Sequence, residues 1–181
     1  MGEFLMTYKD ELIKAMNMLA ENDKILFLGQ AISYTGSGIY KTVEQISEQK
    51  KIELPLIEDT QMGMAIGLSL EGFLPVSIYP RFDFLILAIN QLANHLDKIS
   101  EMSENEFKPK VIIRTAVGST KPLYPGLQHC SDYTEAFKHF FKNINVVKLT
   151  KSEEIIPAYK KALENENSTI LIEVSDLYNE E

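Results

Sequence analysis

The chain has 181 residues, of which 45% are hydrophobic, and its formal net charge is −8. That length is enough for one domain with a sizeable core, and the acidic balance argues against sequence-independent nucleic-acid binding, which depends on Lys and Arg meeting phosphates. One cysteine and three histidines exclude an internal disulfide and argue against a structural zinc site. No apolar run reaches membrane-spanning length and no signal peptide is visible, so we expect a soluble, cytoplasmic protein.

Helical and extended segments alternate along the chain. Apolar residues at helical spacing predict helices over residues 8–21, 42–49, 61–70 and 84–100, of which the helix over 84–100 is the clearest. Thr150 and Glu153 have the spacing of a capping box, which predicts a further helix that starts directly after Thr150 and ends at about residue 164. Short apolar runs predict strands at residues 24–28, 54–57, 74–79, 110–115, 145–148 and 169–174. Apolar strands separated by helices indicate an α/β fold with a mostly parallel sheet and helices on both faces.

Glu58 stands where a short apolar run gives way to a helix. Met62, Ala65 and Ile66 follow it on one helical face. The carboxyl ends of strands are where ligands bind in an open α/β sheet, which makes Glu58 a candidate site residue. The alternative is that Glu58 and its neighbours cap the helix and complement its dipole. From position alone, capping is the favoured interpretation.

A long irregular loop is predicted over residues 117–131. Gly118, Pro122, Pro125 and Gly126 exclude regular structure there, and the loop carries His129. Loops of this length inside a compact domain are uncommon and often functional.

The chain resembles the pyrimidine-binding domain of transketolase-like thiamine-diphosphate enzymes, and most closely the amino-terminal half of the beta subunits of 2-oxo acid dehydrogenase decarboxylating components. The resemblance covers residues 6–177 as a single domain, with residues 1–5 preceding an equally good start at Met6. Four blocks carry it in order, namely Leu28-Gly29-Gln30, Gly38-Ile-Tyr-Lys41, Pro55-Leu-Ile-Glu58 with the glycines up to Gly72-Phe-Leu-Pro75, and Gln128-His129.

The resemblance implies a catalytic role for Glu58. In the family, the matching glutamate hydrogen-bonds a ring nitrogen of the cofactor's aminopyrimidine and so promotes formation of the thiazolium ylid, which attacks a ketone or 2-oxo acid. Such an acid needs shelter from water, and Leu56 and Ile57 are expected to supply it. With the family considered, the catalytic interpretation of Glu58 is favoured over capping.

Further site residues follow from the same resemblance. Tyr79 and Phe82 match aromatics placed against the pyrimidine ring, with ordinary core packing as the alternative. His129 matches a histidine that assists proton transfer or binds substrate oxygen, with a structural histidine as the alternative. Arg81 is unusual for the family; it reaches toward a phosphate or carboxylate, or, as we prefer, is a solvated loop residue.

Three departures from the family pattern bear on function. Gln30, expected at the cofactor, stands where beta subunits usually carry an acid, and residues 59–61 replace small or apolar ones. The sequence reaches Glu181 without a carboxyl-terminal domain and lacks the Gly-Asp-Gly segment that binds Mg²⁺ and the diphosphate in the family.

We therefore expect half of a cofactor site and a partner subunit of the diphosphate-domain, alpha-like kind that holds thiamine diphosphate through Mg²⁺. The resemblance implies an α2β2 assembly, with self-dimerisation open. The rival hypothesis is a noncatalytic scaffold or regulatory domain that has kept the fold.

Overall fold

The computed structural model describes residues 6–121 and 124–179. Within them, one six-stranded sheet has the order β2-β1-β3-β4-β6-β5, and every strand pair is parallel. The predicted α/β fold with a parallel sheet is confirmed. The strands are β1 Ile25–Gly29, β2 Lys51–Glu53, β3 Leu74–Ile78, β4 Ile112–Val117, β5 Asn145–Lys148 and β6 Thr169–Val174.

Helices cover both faces of this sheet, as its mostly buried central strands require. The α-helices are α1 Tyr8–Ala20, α2 Gly38–Val43, α3 Glu58–Leu70, α4 Phe82–Leu85, α5 Ile99–Met102, α6 Thr134–Phe140 and α7 Ser152–Glu164. Helical turns of other kinds occupy Glu48–Lys50, Ile86–Ala88, Gln91–Leu96, Leu127–His129 and Ser175–Asn179. None of the helices in the described ranges combines the length and apolarity needed to cross a membrane.

Two apolar clusters, one on each face of the sheet, form the core. One joins α1, α2 and α7 to the sheet, and the other joins α3, α4 and α6. Side chains alternate between faces along a strand, so Phe27 contributes to the first cluster and Leu28 to the second. Ser77 and Tyr79 likewise lie on the α3 side, because Ile78 belongs to the first cluster.

Most strands were predicted to within two residues, but the strand expected at residues 54–57 is wrong. β2 ends at Glu53, and residues 54–57 form a connection to α3. Glu53 accounts for part of this, because its carboxylate accepts 2.7 Å hydrogen bonds from the N–H groups of Ala31 and Ser33. The Glu53 side chain thus ties the end of β2 to the loop after β1, five residues before Glu58.

Two helix predictions also needed correction. The segment expected as one helix over residues 84–100 is a series of short turns, and the Asp97 N–H donates to the Leu92 carbonyl five residues back, as in a π turn. The helix expected at 42–49 begins at Gly38 and ends at Val43. Apolar spacing reports the buried face, which Leu85, Leu92 and Leu96 do form, but not the hydrogen-bond pattern beneath it.

The helix start near residue 150 was predicted one residue early. Glu154, rather than Glu153, reaches back to the N–H groups of Thr150 and Lys151, at 2.9 and 3.2 Å. The prediction that residues 1–5 precede the domain lies outside the described residues.

Candidate active site

The predicted site residues come from neighbouring strands at one edge of the sheet. Gln30 follows β1, Tyr79 and Arg81 follow β3, and the loop bearing His129 follows β4. Glu58 begins α3, the helix that follows β2. Because the sheet order runs β2-β1-β3-β4, these segments lie side by side at the carboxyl ends of the strands. This edge is where open α/β sheets bind ligands.

Glu58 is the first residue of α3, and 7% of it is exposed. No side chain caps this end of the helix, and within the described ranges no hydrogen bond from the protein reaches the Glu58 carboxylate. The local interpretation, in which Glu58 caps free N–H groups, is therefore wrong. The carboxylate still lies in the favourable field of the helix amino terminus.

Hydrogen bonds to β3 hold the first turn of α3 in place. The Tyr79 hydroxyl donates to the backbone carbonyl of Glu58 at 3.2 Å, and the Gln61 side-chain amide donates to the Ile78 carbonyl at 2.9 Å. Burial raises the pKa of Tyr79 well above its ordinary range, and the charge of Glu58 raises it further. Tyr79 is therefore a neutral donor that fixes the backbone at Glu58.

Several buried polar atoms at this edge of the sheet have no protein partner in the described structure. Both amide atoms of Gln30 are buried and unpaired, as is the amide oxygen of Gln61. Gln30 is 3% exposed, and strand alternation after Leu28 directs it toward the α3 side of the sheet. An unpaired buried polar group costs about 1–3 kcal/mol. Such a group is usually satisfied by an ordered water, an ion or a ligand.

The expected shelter around Glu58 is not supplied by its neighbours in sequence. Leu56 is 76% exposed and Ile57 is 37% exposed, so the prediction that they exclude water from Glu58 is wrong for the chain alone. The Ile57 carbonyl accepts the first hydrogen bond of α3, from the Gln61 N–H at 2.8 Å. The side chains of residues 56 and 57 leave an apolar surface beside the buried acid.

Tyr79 and Phe82 are both completely buried. Phe82 packs edge-on against Tyr133 and Phe137, with ring centroids 5.5 and 4.8 Å apart. Neither ring face is open to a ligand in this structure. The two aromatics form the layer beneath the sheet edge rather than its surface.

Arg81 is bonded to the loop that carries His129. Its Nη1 atom donates to the carbonyls of Gly118 and His129, each at 2.9 Å. The preferred interpretation of Arg81 as a solvated loop residue is therefore wrong. His129 is half-buried, and its ring packs edge-on against Phe84 with centroids 5.7 Å apart. Sequence reasoning missed this link because backbone carbonyls carry no residue-type signal.

A cavity of about 340 Å³ lies beside this link, with Ser37, Pro80, Arg81, Ser119 and Tyr178 in its wall. Among the residues that the structure describes, no cluster of three or more His, Cys, Asp or Glu side chains is arranged to hold a metal ion. The groups at this edge that could contact a ligand are the Glu58 carboxylate, the unpaired amide atoms of Gln30 and Gln61, and the His129 side chain.

Comparison with known proteins finds relatives that match nearly the whole chain. The chain is 27% identical over 177 residues to the pyruvate dehydrogenase E1 component subunit beta of Mesostigma viride, covering 93% of this chain and 53% of that protein. It is 29% identical over 175 residues to the same subunit of Gracilaria tenuistipitata var. liui, covering 94% and 53%. The chain thus spans about half the length of these curated relatives. No protein-family model matches it.

Solved structures place the fold in the same group. A split-gene transketolase, solved as an inactive beta4 tetramer, superposes with a TM-score of 0.71 at 20% identity and covers 92% of this chain and 51% of that one. The transketolase of Campylobacter jejuni subsp. jejuni NCTC 11168 superposes with a TM-score of 0.72 at 18% identity, covering 92% and 25%. The resemblance drawn from the motifs is confirmed: the chain is a homologue of pyruvate dehydrogenase E1 beta subunits, and its fold is transketolase-like.

Proposed function

We propose that this chain is the pyrimidine-domain subunit of a split thiamine-diphosphate-dependent enzyme that acts on a 2-oxo acid or a ketose. The observation that carries the proposal is the buried Glu58 carboxylate, which no described protein group satisfies. A carboxylate with so little exposure and no protein donor is placed to accept a hydrogen bond from a ligand or to share a proton with it. The ring nitrogen of an aminopyrimidine can share such a proton.

The residues at this edge suit the aminopyrimidine end of the cofactor. Glu58 would hold a proton at the ring nitrogen, and the Gln30 amide would offer both a donor and an acceptor to the heterocycle or its surroundings. When bound, thiamine diphosphate would supply the nucleophilic carbon that attacks the substrate carbonyl. Tyr79 would keep Glu58 in position through its hydrogen bond to the Glu58 carbonyl.

The aromatic residues take a supporting role in this proposal. Because Tyr79 and Phe82 are fully covered, direct stacking on the pyrimidine would require their neighbours to move. We assign Phe82 to the floor of the site, where its edge-on contacts with Tyr133 and Phe137 keep the edge rigid. Rigid support of this kind preserves the geometry of the residues above it.

A partner chain is assigned the diphosphate and Mg²⁺. The sequence of residues 1–181 contains no Gly-Asp-Gly segment, and the described His, Cys, Asp and Glu residues form no cluster that could hold a metal ion. One structural relative is a split-gene transketolase whose beta4 tetramer is inactive, which supports a second kind of chain being needed for activity. An α2β2 assembly with cofactors at the interfaces is the arrangement that we propose.

The exposed residues next to Glu58 support the same assembly. Leu56 and Ile57 present apolar surface to solvent at the edge of the buried acid. Covering them with a partner would bury apolar area, which is favourable, and would remove water from the acid. Association would then close the small part of Glu58 that is still exposed in the chain alone.

Exchange of the thiazolium proton with deuterium tests the role of Glu58. The sample is the complex that co-purifies with the chain, loaded with thiamine diphosphate and Mg²⁺, and the variant is Glu58→Gln. We expect exchange to slow by about 10²-fold or more, because amide replaces the proton-sharing acid. Asp59→Asn is the matched control, since Asp59 is an exposed acid in the same helical turn.

The scaffold hypothesis makes the opposite prediction. If Glu58→Gln exchanges as fast as the parent complex, the chain is a noncatalytic domain and Glu58 is structural. Isothermal titration separates a second possibility. Tight binding of thiamine diphosphate with Mg²⁺ to the chain alone would contradict the split site. Assays with a 2-oxo acid and with a ketose phosphate then decide between the two substrate classes.

A further inference from the structure

The loop over residues 118–130 begins and ends at one place on the sheet edge, and the Arg81 guanidinium lies between its two ends. Two hydrogen bonds of 2.9 Å run from Arg81 Nη1 to the carbonyl of Gly118 at one end and of His129 at the other. The Cys130 thiol closes the same gap by donating to the Ser119 carbonyl at 3.3 Å. These contacts bring Gly118 and Ser119 close to His129 and Cys130.

We infer that Arg81 is a positioning residue, which sets the place of the His129 imidazole by holding the two ends of this loop together. Arginine suits the task because its guanidinium is planar, always charged and presents several N–H groups in a fixed geometry. Hydrogen bonds from a charged donor are stronger than neutral ones. The inferred effect on turnover rests on the proposed enzyme function and on the expected role of His129 in proton transfer or substrate binding, whereas the inferred effect on the position of the ring does not.

The contact made by the His129 ring shows what this positioning achieves. The imidazole stands edge-on to Phe84, two residues after Phe82 and three after Arg81. Arg81 bonds the backbone of the same histidine. The backbone and the ring of His129 are therefore both held by contacts with one short segment, residues 81–84. Releasing the backbone bond frees the ring to leave Phe84.

Other contacts keep the loop attached when Arg81 is changed. Asp83 accepts a 3.2 Å hydrogen bond from the Ser131 N–H just after the loop. Asp176 accepts hydrogen bonds from the N–H and hydroxyl of Thr120 near its start. Arg81 is also the residue before α4, and its side chain makes no capping bond to that helix. Its replacement should therefore displace the ring locally without unfolding the domain.

Nuclear magnetic resonance of the histidine rings tests the inference on the chain itself. The chain has three histidines, of which His95 and His139 are exposed and serve as internal references. In the parent, the Phe84 ring current should separate the His129 signal from those two. In Arg81→Met, that separation should collapse, while the signals of His95 and His139 stay in place. Lys98→Gln is the control, because it removes one positive charge at an exposed position.

Two further measurements complete the test. Arg81→Lys keeps a charged donor but not the fork, so the His129 separation should be partly restored. In the co-purified complex, Arg81→Met should lower kcat about tenfold or more while deuterium exchange at the cofactor stays at the parent rate, because loose positioning weakens proton transfer.

Specific results would overturn the inference. An unchanged His129 signal in both Arg81→Met and Arg81→Lys would mean that Arg81 does not position the ring. A shifted signal with unchanged kcat would show that its placement does not matter to the reaction. If the parent complex itself shows no cofactor exchange, the proposed function fails, and the ring signals still decide the role of Arg81.

Discussion

Arg114 and Glu173 form a bidentate ion pair inside the domain, and both side chains are completely excluded from solvent. Arg114 Nε and Nη2 donate to the two carboxylate oxygens at 2.5 and 2.9 Å, which joins β4 to β6. Thr42 accepts from Arg114, and the hydroxyls of Tyr159 and Tyr178 donate to Glu173. The cost of removing two charges from water is offset only because every charged group is paired.

Removing one member of this pair should be far more damaging than removing both. Arg114→Met or Glu173→Leu leaves an unpaired buried charge, so we expect each to lower the free energy of unfolding by about 3–5 kcal/mol. The double variant should recover much of that loss. Urea unfolding of the four proteins gives the coupling energy, and Lys138→Met, at an exposed ion pair, is the control. Additive losses would show that the two residues do not act as a pair.

The same network predicts loss of stability at alkaline pH. Burial raises the pKa of Tyr159 and of Tyr178 well above the ordinary phenol value of 10, and the Glu173 charge raises both further. As the pH rises past about 10, the unfolded chain loses phenol protons that the folded chain keeps. Stability is therefore fully present below about pH 10 and falls above it.

Thermal unfolding across this pH range provides the measurement. Tyr159→Phe and Tyr178→Phe should each flatten the decline in Tm above about pH 10, because one phenol no longer titrates on unfolding. Tyr34→Phe is the control, since Tyr34 is 66% exposed. An equally steep decline in all of the proteins would assign alkaline unfolding to other groups.

A periodic apolar pattern indicates which residues of a helix or strand are buried, and this limits how much of the fold could be predicted. The central strands β4 and β6 are mostly apolar and buried along nearly their whole length, and parallel pairing with helices on both faces follows from such strands. The pairing of Arg114 with Glu173 does not, because the residues are 59 positions apart and meet only through strand order. Segment 84–100 was misjudged for a related reason, since its apolar stripe is compatible with several helical hydrogen-bond patterns.

The candidate site divides along similar lines. Glu58 and His129 were found through motif position, and the structure places both at the carboxyl edge of the sheet. The exposure of Leu56 and Ile57 could not be foreseen, because an apolar residue beside a site can be covered by its own chain or by another. Arg81 was misjudged because its partners are main-chain carbonyls.

Replacing Gln30 should have opposite effects on the stability of the chain and on cofactor binding. Its amide atoms are buried and unpaired, so Gln30→Met, which has a similar shape and no polar atoms, should raise the unfolding free energy of the chain alone by about 1 kcal/mol or more. In the loaded complex, the same change should weaken thiamine diphosphate binding several-fold, because a donor and an acceptor are lost.

Urea unfolding and isothermal titration measure the two effects. Gln49→Met, at an exposed position outside the site, controls for the general effect of methionine. A destabilised Gln30→Met chain would show that the amide is already satisfied in the free protein, and unchanged cofactor affinity would remove Gln30 from the proposed site.

His129 is predicted to act on the substrate while Glu58 acts on the cofactor. His129→Ala in the co-purified complex should reduce turnover about 10²–10⁴-fold, the usual contribution of general acid–base assistance. Deuterium exchange at the cofactor should remain close to the parent rate, because Glu58 and its support from Tyr79 are untouched. His139→Ala, at an exposed position on α6, is the matched control. Parent-like turnover in His129→Ala would make the histidine structural, whereas slowed exchange would assign it to the cofactor site.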